Sequence, residues 1–117
     1  MRIVGLDVGE RRIGVAVSDA TLTLARPVAV LRPASFDADA APLAAAEIAR
    51  LAADEDGVSS IVVGLPRRLD GSPSGMTVRV EAFAAALGRL TRLPVILQDY
   101  LDVRPGRPAP LPVDPEL

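Results

Sequence analysis

The sequence predicts an α/β fold, a mixed sheet that opens as a three-strand meander, continues through helix-linked strands and carries its helices packed on it. Three observations predict it. RIGVAVS, residues 12–18, alternates apolar and small or polar residues one short turn after an apolar strand that starts at Arg2. Ile61-Val62-Val63 is an unbroken apolar run, the pattern of a strand buried on both faces. Stretches of helical periodicity, about 37–53 and 76–90, lie on either side of that run. A meander followed by helix-linked strands gives a mixed sheet with helices on it.

The elements follow in order. Arg2 to Val8 is a strand that Gly9 breaks, and Arg12 to Ser18 returns beside it as a hairpin, with Ile13, Val15 and Val17 on one face. Leu22 to Leu31 is a third strand, and Pro27 within it predicts an edge or a bend. Asp37 and Asp39 are N-cap candidates for a helix to about Ala53, with Pro42 in its first turn and Ala44, Ile48, Leu51 and Ala52 as its buried stripe. Asp54-Glu55-Asp56 oppose that helix's dipole and are expected in solvent. Gly64 to Gly75 reads as a loop. The second helix buries Met76, Val80, Phe83, Leu87 and Leu90, and Leu93 to Leu97 is the last strand. The tail, 103–117, holds five of the 11 prolines and cannot continue as a helix.

A chain of 117 residues, half hydrophobic and 24% charged, builds one small domain. Its core is aliphatic, because Phe is 2, Tyr 1 and Trp 0. A net charge of −2 gives no global pull toward nucleic acid or anionic membrane, though it leaves room for a local basic patch. Cysteine and histidine are absent, which excludes disulfides, thiol nucleophiles, histidine bases and His/Cys zinc sites. Hydrolytic chemistry must then rest on carboxylates, hydroxyls, arginines and a hard cation, Mg²⁺ or Mn²⁺. All 13 basic residues are arginine, as a GC-rich genome produces. No targeting pattern or membrane-length apolar run occurs, so a cytoplasmic protein without membrane contact is expected.

Three places can carry chemistry. Asp7, near the end of the first strand, is flanked by Gly5 and Gly9, which leave room for a metal or a phosphate; its ordinary role would be a polar strand end. Arg67 and Arg68 stand among Gly64, Gly71 and Gly75, with Ser72 and Ser74 before a helix start, a composition suited equally to phosphate contact and to a solvated loop. Arg11 and Arg12 extend that basic edge if both loops share one end of the sheet. Asp99 would join Asp7 if their strands are neighbours, and Asp102 lies three residues further. Asp19 and Asp70 sit among turn residues and are expected to cap turns.

In order, these pieces resemble the YqgF/RuvX family, nucleases of pre-16S ribosomal RNA similar to Holliday-junction resolvases. GLDVGxxRIGVAVSD runs from Gly5 to Asp19 and IVVGLPxxxDGS from Ile61 to Ser72, followed by the helix with Val80, Phe83 and Leu87 and by LPV before the last strand. The resemblance covers Arg2 to about Asp99. It implies a ribonuclease H-like fold over 1–102 and metal-dependent hydrolysis of phosphodiesters at the 5' end of pre-16S rRNA, or in branched DNA. It implies Asp7, with Asp99, as catalytic metal ligands to Mg²⁺ or Mn²⁺, and Gly64, Ser72, Arg11, Arg12, Arg67 and Arg68 as the nucleic-acid border.

The chain also departs from the family. The last strand should lead into Asp-Glu-Arg-Leu-Thr and an acidic C-terminal helix. Asp99 matches the Asp, but Tyr100 stands in place of the Glu and Leu101 in place of the Arg. RPGRPAPLPVDPEL cannot form the helix, and Asp114 and Glu116 match no family position. The tail at 103–117 is therefore expected to lie outside the fold, disordered or out of frame, through a frameshift after Asp99 or a natural truncation. Weak metal binding and little cleavage are expected. The alternative function is a non-catalytic nucleic-acid-binding module. A sugar-kinase-like ATPase with a similar first hairpin ranks last, because it needs a second domain. Oligomeric state stays open.

Overall fold

A computed structural model of the chain describes residues 1–22, 24–35 and 37–101. Strands β1 (Arg2–Val8), β2 (Ile13–Ser18) and β3 (Ala25–Leu31) form the meander. Helix α1 (Ala41–Ala52), strand β4 (Val58–Arg67), helix α2 (Gly75–Thr91) and strand β5 (Val95–Leu101) follow. The sheet order is β3-β2-β1-β4-β5, antiparallel through the meander and parallel from β1 to β4 to β5.

Both helices pack on one face. Val4, Leu6 and Val8 of β1, Ile13, Val15 and Val17 of β2 and Ile61, Val63 and Leu65 of β4 point toward them and are buried. They meet Ala44, Ile48 and Leu51 of α1 and Val80, Phe83 and Leu87 of α2 in a single core. The period of two in β2 thus has the expected cause. Pro27 also behaves as expected. β3 is an edge strand, and the β2–β3 register slips between Val15 and Ala16, where Ala16 comes to face Pro27.

Helix starts obey local chemistry. Asp37 accepts from the Asp39 N–H at 3.1 Å and opens a single 3₁₀ turn, after which Pro42 stands in the first turn of α1. Ser74 caps α2 in a reciprocal box, its hydroxyl accepting from the Thr77 N–H while the Thr77 hydroxyl accepts from the Ser74 N–H. The Thr77 hydroxyl also donates to the Pro66 carbonyl, tying the start of α2 to β4.

At the far end of α1, Arg2 answers the acids that oppose the dipole. It is buried, donates from Nη2 to the Leu51 carbonyl at 2.9 Å and from Nε to the Gly57 carbonyl at 3.2 Å, and stands 3.6 Å from Asp54. Asp54, Glu55 and Asp56 are in solvent as expected.

Four expectations need correction. Ala52 and Leu90 are exposed; with residues of both helices and Val58 they line an open hollow of about 430 Å³. β3 begins at Ala25, because a turn held by Asp19 occupies the preceding residues, with the Asp19 N–H donating to the Leu24 carbonyl at 2.9 Å. Gly64 to Arg67 is strand, since β4 pairs with β5 as far as Arg67. The last strand runs to Leu101, and Asp99 lies inside it for the same reason. Asp102 and the expected tail at 103–117 lie outside the described residues.

Candidate metal and nucleic-acid site

β1, β4 and β5 run in parallel, so their carboxyl ends share one end of the sheet. The turn after β1 carries Arg11 and Arg12, and the loop after β4 carries Arg68 beside Arg67. The condition for one basic edge is met. β3 also ends there, because Leu31 pairs with Ile13, and it delivers Arg32 to the same edge. Arg11, Arg12, Arg32 and Arg68 are exposed. Arg32 was not legible in the sequence; only the sheet order shows where β3 ends. Crevices beyond the carboxyl ends of parallel strands are the usual ligand sites of open α/β sheets.

Asp7 occupies this end on the sheet face turned away from the helices. It pairs with Gly14, and a Cβ on Gly14 would lie 3.7 Å from the Asp7 Cβ, so the two share that face. Gly5 lies two residues before Asp7 on the same face, with Ala16 as its partner. The β1–β4 register continued one step past Leu6–Val63 brings Gly64 level with Asp7. The half-buried carboxylate is thus bordered by residues with little or no side chain.

Asp99 does not join it. β4 lies between β1 and β5, and Asp99 pairs with Leu65, whose side chain points into the helix-side core. Paired residues of parallel strands share a face, so Asp7 and Asp99 look out of opposite faces. Asp99 instead meets Arg67, with Oδ2 3.1 Å from Nε. Tyr100, one residue on, is the β5 residue on the face of Asp7, opposite Pro66. The position where the resemblance expects a Glu is therefore the one aimed to the side of Asp7.

The loop after β4 is tightly built. Arg67 bridges to Pro73, the Arg68 N–H donates to the Ser72 carbonyl at 2.9 Å, and Gly71 takes a positive φ of 84° to close the turn. Asp70 accepts from the Ser72 N–H at 2.9 Å and from its hydroxyl at 2.6 Å. The Ser72 hydroxyl and N–H hold the Asp70 carboxyl below its ordinary range. The Ser72 hydroxyl proton is thus engaged inside the loop, and Ser72 shapes the border more than it offers a donor outward. Gly64 lies in the ladder, where it keeps the neighbourhood of Asp7 small.

The model of the RuvX family, described as Holliday junction resolvase, matches residues 1–100. The chain belongs to the RuvX family. A protein from an Anaeromyxobacter species named "Putative pre-16S rRNA nuclease" is 42% identical over 99 residues, which span 85% of this chain and 68% of that protein. A protein of the same name from Paramagnetospirillum magneticum is 38% identical over 98 residues, spanning 84% of this chain and 59% of that protein. The chain thus covers only part of the length of these relatives. Among solved structures, the ROK hexokinase of Thermus thermophilus matches with a TM-score of 0.58 at 25% identity, over 85% of this chain and 35% of that one. RuvC of T. thermophilus, solved in complex with a Holliday junction substrate, matches at 0.53 and 15% identity, over 85% of this chain and 64% of that one. The sheet order and these likenesses make the fold ribonuclease H-like.

Among the described residues no three acids stand close enough to form a metal cluster, and no helix is long and apolar enough to cross a membrane. The donor chemistry at Asp7 still fits a hard cation. Mg²⁺ is commonly held by one or two carboxylates and completed by water and substrate phosphate, and the glycine-bordered Asp7 offers one such carboxylate with space beside it.

Proposed function

We propose that this RuvX member is a metal-dependent nuclease of slow turnover that acts on phosphodiester bonds of structured RNA, in maturation of the 5' end of pre-16S rRNA in the cytoplasm. The observation that carries the reading is the carboxyl edge itself: Asp7 on a glycine-bordered face, with Arg11, Arg12 and Arg68 at the same end of the sheet, and Arg67 at that end too but on the helix-side face beside Asp99. Asp7 would hold the cation, Mg²⁺ or Mn²⁺, which when bound polarises the phosphate and lowers the pKa of bound water. The arginines would neutralise and seat the phosphate backbone. Gly64 and the loop shaped by Ser72 and Asp70 would border it.

Tyr100 supports the slow turnover. With no carboxylate at the β5 position facing the side of Asp7, one acid of the family pattern is missing and metal affinity falls with ligand charge. Asp99 points to the other face and is not retained as a ligand of the Asp7 cation. Tyr100 also favours the second reading, a degenerate nuclease that binds nucleic acid without cutting it.

Cleavage of a structured RNA with Mg²⁺ or Mn²⁺, beside salt-dependent binding in chelator, separates the two. Slow cleavage abolished by Asp7→Ala supports the nuclease. Binding without cleavage leaves the second reading, and no binding at low salt removes both.

A further inference from the structure

The sheet face that carries Asp7 also holds two arginines from neighbouring strands, level with each other. We propose that Arg12 and Arg32 form a phosphate seat beside Asp7, which makes Arg32, at the end of β3, a nucleic-acid-binding residue of the same site. The inference rests on the nucleic-acid reading above.

Strand register puts the pair there. Leu31 pairs with Ile13, and one step further Arg32 comes opposite Arg12. Ile13 lies in the helix-side core and Leu31 packs against it, so the next residue of each strand falls on the other face, that of Asp7. The alternation carries through both positions. Pro33 follows Arg32 and keeps its backbone out of the helical region. The Gly9 N–H donates to the Arg12 carbonyl at 2.8 Å, which extends the β1–β2 ladder by one step. On that face Asp7 stands opposite Gly14, and Gly9 opposite Arg12. Asp7 and Arg12 are then diagonal neighbours, roughly 7–8 Å apart by ordinary sheet spacing. The other two corners are glycines, so a phosphate lying over Gly9 and Gly14 would reach both a cation on Asp7 and the arginine pair.

The pair carries a cost that an anion would offset. Like charges directly opposite each other on neighbouring strands repel. Arg2, Arg50 and Arg67 each stand within ion-pair distance of an acid. Among the described residues Arg12 and Arg32 make no ion pair and no side-chain hydrogen bond, and both are exposed. Phosphate oxygens match the planar guanidinium fork and supply the missing charge. Arg26 lies on the same strand and is also exposed, but it pairs with Val17 toward the other end, on the helix-side face. It carries the same charge in the wrong place.

The test measures affinity for a structured RNA as a function of salt, in chelator so that metal plays no part, with thermal unfolding beside it. Arg32→Ala is expected to weaken binding roughly tenfold at low salt, the worth of one hydrogen bond to a charged group. The slope of log affinity against log salt should fall by roughly 0.7 to 0.9. Its unfolding midpoint should hold or rise, because a like-charged neighbour is gone. Arg26→Ala deletes the same charge and should bind as the unaltered chain does. Unchanged affinity in Arg32→Ala, with the unaltered chain binding, would overturn the proposal and leave the functional reading standing. An equal loss in Arg26→Ala would reduce the effect to net charge, and a lowered midpoint in Arg32→Ala would make Arg32 a residue of the fold; either result overturns the seat. If the unaltered chain shows no salt-dependent binding at all, the functional reading itself fails and this role goes with it.

Discussion

Arg2 and Arg67 stand at opposite ends of the parallel strands and show how differently the two ends of this sheet use the same residue. At the amino end Arg2 is buried, donates to two carbonyls and offsets the acids at the end of α1. At the carboxyl end Arg67 is half-buried and meets only an ion pair with the exposed Asp99, beside the exposed Arg68, Arg11 and Arg12. A buried guanidinium that donates to two backbone carbonyls is structural. Exposed ones at the edge of parallel strands are available to a ligand. Residue type does not separate the two roles; burial and partners do.

The sharpest way to break this comparison is to remove Arg2. Arg2→Ala removes the guanidinium donors from the Leu51 and Gly57 carbonyls, which keep only backbone N–H donors, and should cost about 2 kcal/mol of stability, read by denaturant unfolding, with RNA affinity per folded molecule unchanged. A loss of RNA binding without loss of stability would mean the two ends are not distinct. Asp7→Ala is the converse. Metal-dependent cleavage should fall to background while the chain still unfolds cooperatively, because the Asp7 side chain lies on the sheet face away from the helix-side core. Tyr100→Glu sharpens the carboxyl end further. It returns an acid to the face of Asp7, and Mn²⁺ affinity and cleavage rate should both rise; no rise in either would show that position 100 does not reach the site.

A smaller effect is expected from Arg11→Ala with Arg12→Ala. If each meets one phosphate, the slope of log affinity against log salt should fall by roughly 0.7 for each arginine on a single-stranded ligand, with stability unaltered. The smallest effect is on acid stability. Asp37 is held below the ordinary carboxylate range by the Asp39 N–H first and then the Ser35 hydroxyl, with Arg79 adding to both. A folded pKa lowered below the reference of 3.8 means stability that is present above that value and lost as pH falls through the folded pKa. Asp37→Asn should therefore make the acid limb of a stability profile slightly shallower below about pH 4 and leave cleavage at neutral pH untouched.

Much of the fold was legible because its signals are local. The alternation of RIGVAVS, the unbroken run at Ile61 and the caps at Asp37 and Ser74 act within a few residues. The misreadings share a different cause. Gly64-Leu65-Pro66-Arg67 carries turn-type residues and reads as a loop, but pairing with β5 holds it as strand. Ala52 and Leu90 fit the helical stripe, yet they line an open hollow instead of the core. In the candidate site, Asp7 is singled out by its glycines and by family register. The place of Arg32 and the face of Asp99 were not legible, because both depend on which strands are neighbours.

The sequence by itself determined the elements, the aliphatic core, the exclusion of histidine and cysteine chemistry, and the RuvX membership, since composition, periodicity and motif order are properties of the linear chain. The tertiary structure alone decided which acids share a face. Strand order puts β4 between β1 and β5, and the two-residue period of the strand turns a shift of one position into a change of side. That parity sends Asp99 to Arg67 and leaves Tyr100, not an acid, on the side of Asp7.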